Sequence, residues 1–207
     1  VVSITNSTEY GTVYSVAEVK ALADHAHSLG MYIHLDGARI SNAAASLGTS
    51  LAAFTADVGV DAVSLGGTKN GAMGAEAAVI LNPDLVPAMK YVRKSGMQLA
   101  SKMLFISIQL VAMFEGDLWL KNAQHSNAMA QELYKGIKDI PGVKVEAPQA
   151  NALFPILPAA SIEPLQSVAK FYVWDHMINQ VRWMCSWDTT QADVDNFVAA
   201  VKSELAN

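Results

Sequence analysis

Met31-Tyr32-Ile33-His34-Leu35-Asp36-Gly37-Ala38-Arg39 carries the reading of the fold. Met31, Ile33 and Leu35 alternate with Tyr32, His34 and Asp36, the period of two that marks a strand with one buried face, and the strand ends at the acid. Gly37 and Ala38 then turn the chain, and Arg39 opens a helix. Upstream, Ser15-Val16-Ala17-Glu18 is a capping box, in which serine and glutamate satisfy the first turn of a helix. Val16, Val19, Leu22, Ala23, Ala26 and Leu29 follow at helical spacing until Gly30 stops the run. Downstream, Ala62-Val63-Ser64-Leu65 is a short apolar run ended by Gly66 and Gly67, and Ala77 to Leu81 is a further strand. Helix and strand alternating at these short intervals predict an α/β fold, part of a largely parallel sheet covered by helices.

Two groups near the strand ends have chemical potential. An ionised acid closing a buried strand is costly unless something positive meets it. Lys69 stands 33 residues after Asp36 (69 minus 36), on the glycine-bounded turn Gly66-Gly67-Thr68-Lys69-Asn70-Gly71. A lysine amine forms a Schiff base with pyridoxal 5'-phosphate, and a carboxylate keeps the pyridine nitrogen protonated so that the ring withdraws electrons. Each residue alone has a plainer reading: Asp36 as a capping acid beside Arg39, and Lys69 as a solvated turn lysine.

Together, in this order and separation, the two segments resemble the pyridoxal-phosphate enzymes of the aspartate-aminotransferase fold, and among them the threonine aldolase family. His34-Leu35-Asp36-Gly37-Ala38-Arg39-Ile40-Ser41-Asn42-Ala43 is similar to that family's Asp-Gly-Ala-Arg segment followed by Asn-Ala, and Ser64 to Gly74 to its cofactor-lysine segment. Asn151-Ala152-Leu153-Phe154 and Gln180-Val181-Arg182-Trp183 resemble two later family segments, so the likeness spans nearly the whole chain. It implies Lys69 and Asp36 as catalytic and cofactor-binding residues, with Arg39 and Thr68 also near the cofactor. Arg182, with Arg39, is implied to hold the substrate's α-carboxylate, for which a forked guanidinium is suited. The plainer reading of Arg182 is a structural ion pair with Asp175 or Asp188. The implied reaction is retro-aldol cleavage of a β-hydroxy-α-amino acid, of threonine, allo-threonine or phenylserine type, to glycine and an aldehyde. Two alternatives stand beside it: another enzyme of the same fold, a β-eliminating lyase or aminotransferase, and a catalytically inert fragment. Departures at Asn6-Ser7-Thr8-Glu9-Tyr10 and Thr68-Lys69-Asn70-Gly71 point to a different side-chain pocket, consistent with bulkier substrates.

The family's glycine-rich phosphate cradle and its ring stacked on the cofactor have no counterpart in this sequence, so the chain is expected to be a C-terminal part, its N-terminal half absent or supplied as a separate chain. The resemblance also implies a homo-oligomer, dimer or tetramer. Composition agrees with an oligomer or an uncovered fragment: 52% hydrophobic with 16% charged is rich in core-forming residues for 207 residues. The formal net charge of −5 argues against a nucleic-acid partner. No apolar run approaches the length of a membrane helix, and the single cysteine, Cys185, forms no intrachain disulfide, so a cytoplasmic enzyme is expected. His25 and His27 are two apart on a helix and point to different sides, so no metal site is expected. His34 faces away from Ile33 and Leu35 and is read as packing near the site.

The remainder predicts a linking helical region from about Leu85 to Phe114 with a break near Gly96, and a helix from Asn122 to Lys138. Strands are expected over 143–147, 153–157 and 181–187, with Pro155, Pro158 and Pro164 marking irregular loops. A second capping box at Thr190 opens a terminal helix through Val194, Phe197, Val198, Val201 and Leu205. The expected division is a part of the cofactor-binding large domain with its linker helix over 1–119, and a small α+β domain over 120–207.

Overall fold

A computed structural model describes residues 1–206. The chain forms two compact units, Val1–Glu9 with Val13–Lys121, and Tyr10–Thr12 with the chain from Asn122 onward.

The first unit is built on a four-stranded sheet, β1 (Val2–Thr5), β2 (Ile33–Gly37), β3 (Ala62–Gly66) and β4 (Glu76–Ile80), in that spatial order. β1, β2 and β3 run parallel and β4 antiparallel. The parallel pairs are connected by α1 (Val16–Ser28) and by α2 (Ile40–Leu47) with two short 3-10 turns. Ser15 caps α1 through the reciprocal bonds of its box: Glu18 N–H donates to Ser15 Oγ at 3.2 Å, and Ser15 N–H to Glu18 Oε2 at 2.8 Å. The alternation seen in the sequence sorts the sheet into two faces. Leu35 and Val63 point into a core with Val19, Ile40, Ala43 and Phe54, while Ile33 packs with Ala23 and Ala26. Ser3, His34, Asp36 and Ser64 lie on the opposite face, in neighbouring positions of register.

Asp61, just before β3, ties this unit together. The residue is 4% exposed. Its Oδ2 accepts from Ile33 N–H at 2.7 Å and lies 2.9 Å from His27 Nε2, while Oδ1 accepts from Asn82 Nδ2 at 2.6 Å. Its carbonyl accepts from the N–H groups of Leu81 and Asn82. One side chain thus joins α1, β2 and the segment after β4. Burial pushes the Asp61 carboxyl up, but the bonds from His27, Ile33 and Asn82 outweigh that cost and hold it below its ordinary 3.8.

Past β4, a proline-initiated 3-10 turn leads to α3 (Val86–Ser95), and α4 (Leu104–Phe114) follows a break that begins at Gly96, with Met97 at φ 56°. The sequence-expected break is therefore present and wider than one residue. α5 (Leu118–Ile137) starts four residues before the expected Asn122.

In the second unit, β5 (Ala152–Leu153), β6 (Tyr172–Asp175) and β7 (Gln180–Met184) form an antiparallel sheet in the order β5-β7-β6. α6 (Ala159–Val168) and α7 (Gln191–Leu205) pack on it with α5 around Leu133, Ile137, Leu153, Leu165, Val181, Trp183 and Val201. Several expectations change here. The 143–147 segment is no strand; only Lys144 bridges, to Ile156. The expected 153–157 strand shortens to two residues, because Pro155 has no N–H for a ladder. Pro158 and Pro164 do not mark loops alone: Pro158 is the N-cap of α6 and Pro164 lies inside it. The helix tolerates the lost bond because Leu165 and Ser161 are buried beneath it. β6 had no sequence expectation at all.

Replacing Asp61 with alanine is expected to lower the unfolding free energy at pH 7 by about 2–4 kcal/mol, since buried donors lose their acceptor. Because the folded carboxyl is held below its unfolded value, its contribution is complete above about pH 4 and disappears as pH falls through the folded value. Denaturant unfolding of both proteins between pH 7 and 2.5 checks this: the two stabilities should converge towards the acid end.

Candidate cofactor site

β2 and β3 both end at the same edge of the first sheet, and their register sets Asp36 beside Ser64 and Gly37 beside Leu65. The carboxyl ends of parallel strands are where open α/β sheets accept ligands, because the chain leaves the sheet there and a crevice opens. Asp36 is half-buried at the end of β2. Its Oδ1 accepts from Ala38 N–H at 2.9 Å, which fixes the carboxylate against its own turn. Oδ2 has no hydrogen-bond donor among the described residues.

Lys69 sits on a 3-10 turn, Thr68–Asn70, three residues beyond the end of β3. Asn70 anchors this turn from below: it is buried, and its Nδ2 donates to Trp119 O at 2.8 Å. Thr68 N–H donates to Glu76 Oε1 at 3.3 Å. Lys69 and Thr68 are exposed, and the Lys69 amine makes no ion pair among the described residues.

Two glycines bring the Asp36 and Lys69 turns together. A Cβ on Gly66 would stand 2.6 Å from Ala38 O and 2.8 Å from Ala38 C, and one on Gly37 would stand 2.8 Å from Ser64 O. Any side chain at Gly66 would therefore wedge the end of β3 away from the turn that follows Asp36. Arg39 is half-buried where α2 begins, and its carbonyl accepts from Asn42 and Ala43 N–H. The first unit thus gathers Asp36, Arg39, Thr68 and Lys69 at one sheet edge.

His34 is wired across three strands. Its Nδ1 lies 2.9 Å from Ser3 Oγ and its Nε2 2.9 Å from Ser64 Oγ, so one ring nitrogen donates and the other accepts in the neutral ring. It stands two residues before Asp36 on the same sheet face, and both ring nitrogens are satisfied, as its packing role expects.

Arg182 belongs to the second unit, on β7. Its neighbours Val181 and Trp183 are buried in the core, and Arg182 points to the other face, where its guanidinium carbon lies 5.0 Å from the ring centre of Trp174. The aromatic partner was missed in the sequence because the strand carrying it was missed. Cys185 is buried in the same unit, and burial pushes its thiol up to about 12, which removes it as a nucleophile at neutral pH. Among the described residues no cluster of three His, Cys, Asp or Glu side chains could hold a metal ion, and no helix is long and apolar enough to cross a membrane.

An exposed amine, a carboxylate with one open oxygen and turns seated in contact at a sheet edge make a donor set suited to an aldehyde-bearing pyridine. The model of a family described as beta-eliminating lyase matches residues 1–160. The chain belongs to that family. It is 39% identical over 208 residues to a low specificity L-threonine aldolase of Pseudomonas sp. strain NCIMB 10558, covering 100% of this chain and 60% of that protein. The solved structure of Leishmania major threonine aldolase superposes with a TM-score of 0.89 at 31% identity, over 98% of this chain and 60% of that one. An aspartate aminotransferase from Rhodobacter sphaeroides, at 21% identity and a TM-score of 0.66 over 99% of this chain and 56% of that one, shows the shared fold alone. This family member therefore has the pyridoxal-phosphate transferase fold and spans about three-fifths of the length of the threonine aldolases it matches.

Gly66→Ala is expected to destabilise the chain by about 1–3 kcal/mol through overpacking against the Ala38 backbone. Gly116→Ala, where an added Cβ meets nothing within 4 Å, should change stability by less than about 0.5 kcal/mol. Parallel thermal unfolding of the two variants makes the comparison.

Proposed function

We propose that this chain carries the lysine-bearing part of a pyridoxal-phosphate-dependent aldehyde-lyase that cleaves β-hydroxy-α-amino acids, of threonine, allo-threonine or phenylserine type, to glycine and an aldehyde. The observation that carries the reading is the pairing of Asp36 and Lys69 turns at one sheet edge, in a chain 39% identical to a low specificity L-threonine aldolase. Pyridoxal 5'-phosphate, when bound, supplies a ring that takes up the electron pair released at the substrate's Cα.

The chain's own groups divide the remaining work. The Lys69 amine would hold the cofactor by its aldehyde group. Asp36, whose Oδ2 is open, would be the anion that favours a protonated pyridine nitrogen. The Ala38 N–H holds that carboxylate from behind. Thr68 adjoins the lysine and offers a hydroxyl to the cofactor. Arg39 and Arg182 supply guanidinium donors for the substrate carboxylate, which sets the orientation of the bond to be broken. A row of exposed apolar side chains on α4, Leu104, Phe105, Ile108 and Val111, supports an assembled state. That assembly is a homo-oligomer, dimer or tetramer, or a complex with the remainder of a full-length aldolase.

The family description also fits a β-elimination, and the products separate the readings: glycine and an aldehyde, or a 2-keto acid and ammonia. Borohydride reduction of the protein incubated with pyridoxal phosphate, followed by peptide mass mapping, should place the label on Lys69, and Lys69→Ala should remove it. Label scattered over surface lysines would sink the assignment. Asp36→Ala should lower glycine formation on the order of 10²-fold, the scale of losing one preorganised electrostatic contact.

A further inference from the structure

We propose that Gln109 of α4 is a positioning residue for Lys69: its side-chain carbonyl holds the loop that follows the lysine, and with it the backbone from which the amine is presented to the cofactor. The inference rests on the reading of Lys69 as the cofactor-holding residue and adds to it the element on which the lysine turn is seated.

The turn is first closed upon itself. Gly67 O accepts from the N–H groups of Asn70 at 3.0 Å and Ala72 at 3.1 Å, Thr68 O accepts from Gly71 N–H at 3.3 Å, and Gly67 N–H donates to Ala75 O at 3.1 Å. Gly71 at φ 114° and Gly74 at φ 117° then flank Ala72 and Met73. Glycine adopts such conformations without steric cost, so the two residues between them are free to swing unless something else holds them. Met73 is 94% exposed, and packing of its side chain does not fix the loop.

The restraint comes from α4. Met73 N–H donates to Gln109 Oε1 at 2.8 Å. The Gln109 amide is itself held, because its Nε2 donates to Phe105 O, one turn earlier on the helix, at 2.7 Å. With the amide nitrogen committed to a carbonyl, the oxygen is the end that meets the Met73 N–H. Two neighbours on the same helix face meet other parts of the turn. A Cβ on Gly67 would stand 3.3 Å from Leu110 Cδ2, and Met113 Sδ lies 3.9 Å from Asn70 Nδ2. Gln109, Leu110 and Met113 thus address Met73, Gly67 and Asn70, on both sides of Lys69 in the chain. The exposed lysine stands in the middle of a turn bedded on one helix face.

A reacting amine serves a cofactor best when the backbone that carries it is ordered before binding. Order supplied in advance removes a cost that cofactor binding would otherwise bear. The net worth of one hydrogen bond corresponds to an affinity change of about 2- to 12-fold. By linkage, a loop whose order favours the cofactor must in turn be ordered further when the cofactor binds.

The test uses the full chain and reads the pyridoxal phosphate Kd from visible absorption, the borohydride label by peptide mapping, and hydrogen exchange of the Met73 amide. In the parent, loading with cofactor should place the label on Lys69 and slow Met73 exchange by about 2-fold or more. Gln109→Leu keeps bulk and helix propensity but removes the acceptor, and should raise the Kd about 2- to 12-fold and speed Met73 exchange. Gln109→Glu keeps an acceptor oxygen and should stay within about twofold of the parent in both. Ser107→Ala loses only bonds to Met103 O and Leu104 O within α4, and should match the parent. Met73 exchange that is unchanged on loading the parent, or an unchanged Kd in Gln109→Leu, overturns the inference while label on Lys69 leaves the cofactor reading standing. The parent's exchange needs no variant, so it decides the matter even where the leucine protein does not fold. Weakening shared by Gln109→Leu and Ser107→Ala shows a general loosening of α4 and overturns the inference too, as does a Gln109→Glu protein as weak as the leucine one. A parent that takes no label on Lys69 removes the cofactor reading and the inference with it.

Discussion

The gap between Gly66 and Ala38 is too small for any side chain, and the candidate site depends on that contact. A Cβ at Gly66 would meet the Ala38 carbonyl at 2.6 Å, well inside van der Waals distance. Glycine lets the last residue of β3 lie directly against the turn after Asp36. The carboxylate at the end of one strand and the amine on the turn after the next are thereby delivered to the same edge. Gly37 does the same from the other side against Ser64. Backbone closeness of this kind is one use of glycine that no other residue can imitate.

Around that contact the sheet separates two duties. One face is apolar and buries Ile33, Leu35 and Val63 against α1 and α2, which supplies the non-directional stabilisation. The other face is a polar lattice in which His34 bridges Ser3 and Ser64, two residues from Asp36. At the opposite end of β3, Asp61 joins α1, β2 and the segment following β4. The strand that leads to the lysine turn is thus tied by hydrogen bonds at its start and by backbone contact at its end. A site that must hold a cofactor in fixed orientation benefits from elements restrained at both ends.

The second unit solves a different problem, the placement of a charged side chain on a strand whose neighbours are core residues. Val181, Trp183 and Cys185 fill the interior while Arg182 emerges between them on the other face. The core side of that strand is aromatic as well, with Trp183 and Phe197 edge-to-face at 4.8 Å. An apolar foundation on one face and an aromatic ring beside the guanidinium on the other flank the strand where Arg182 leaves it.

Much of this was legible in the residues. The two-residue alternation of Met31 to Asp36, the capping boxes at Ser15 and Thr190 and the glycines after Leu65 each encode local structure, because side-chain period, caps and positive or crowded backbone are properties of short segments. The placement of Asp36 at the end of one strand and of Lys69 on the turn after the next was legible too. The bulge at Trp174, the helix through Pro164 and the loss of the 143–147 strand were not. Each depends on what lies across from it: a hairpin partner that leaves one residue over, a buried Leu165 that outweighs a missing N–H, an edge with only one bridge to join. The sequence by itself determined which strands and turns carry Asp36 and Lys69 and which faces are apolar. Only the tertiary structure decided which backbones touch at the site, and which ring lies near the Arg182 guanidinium, because close approach is a relation between segments distant in the chain.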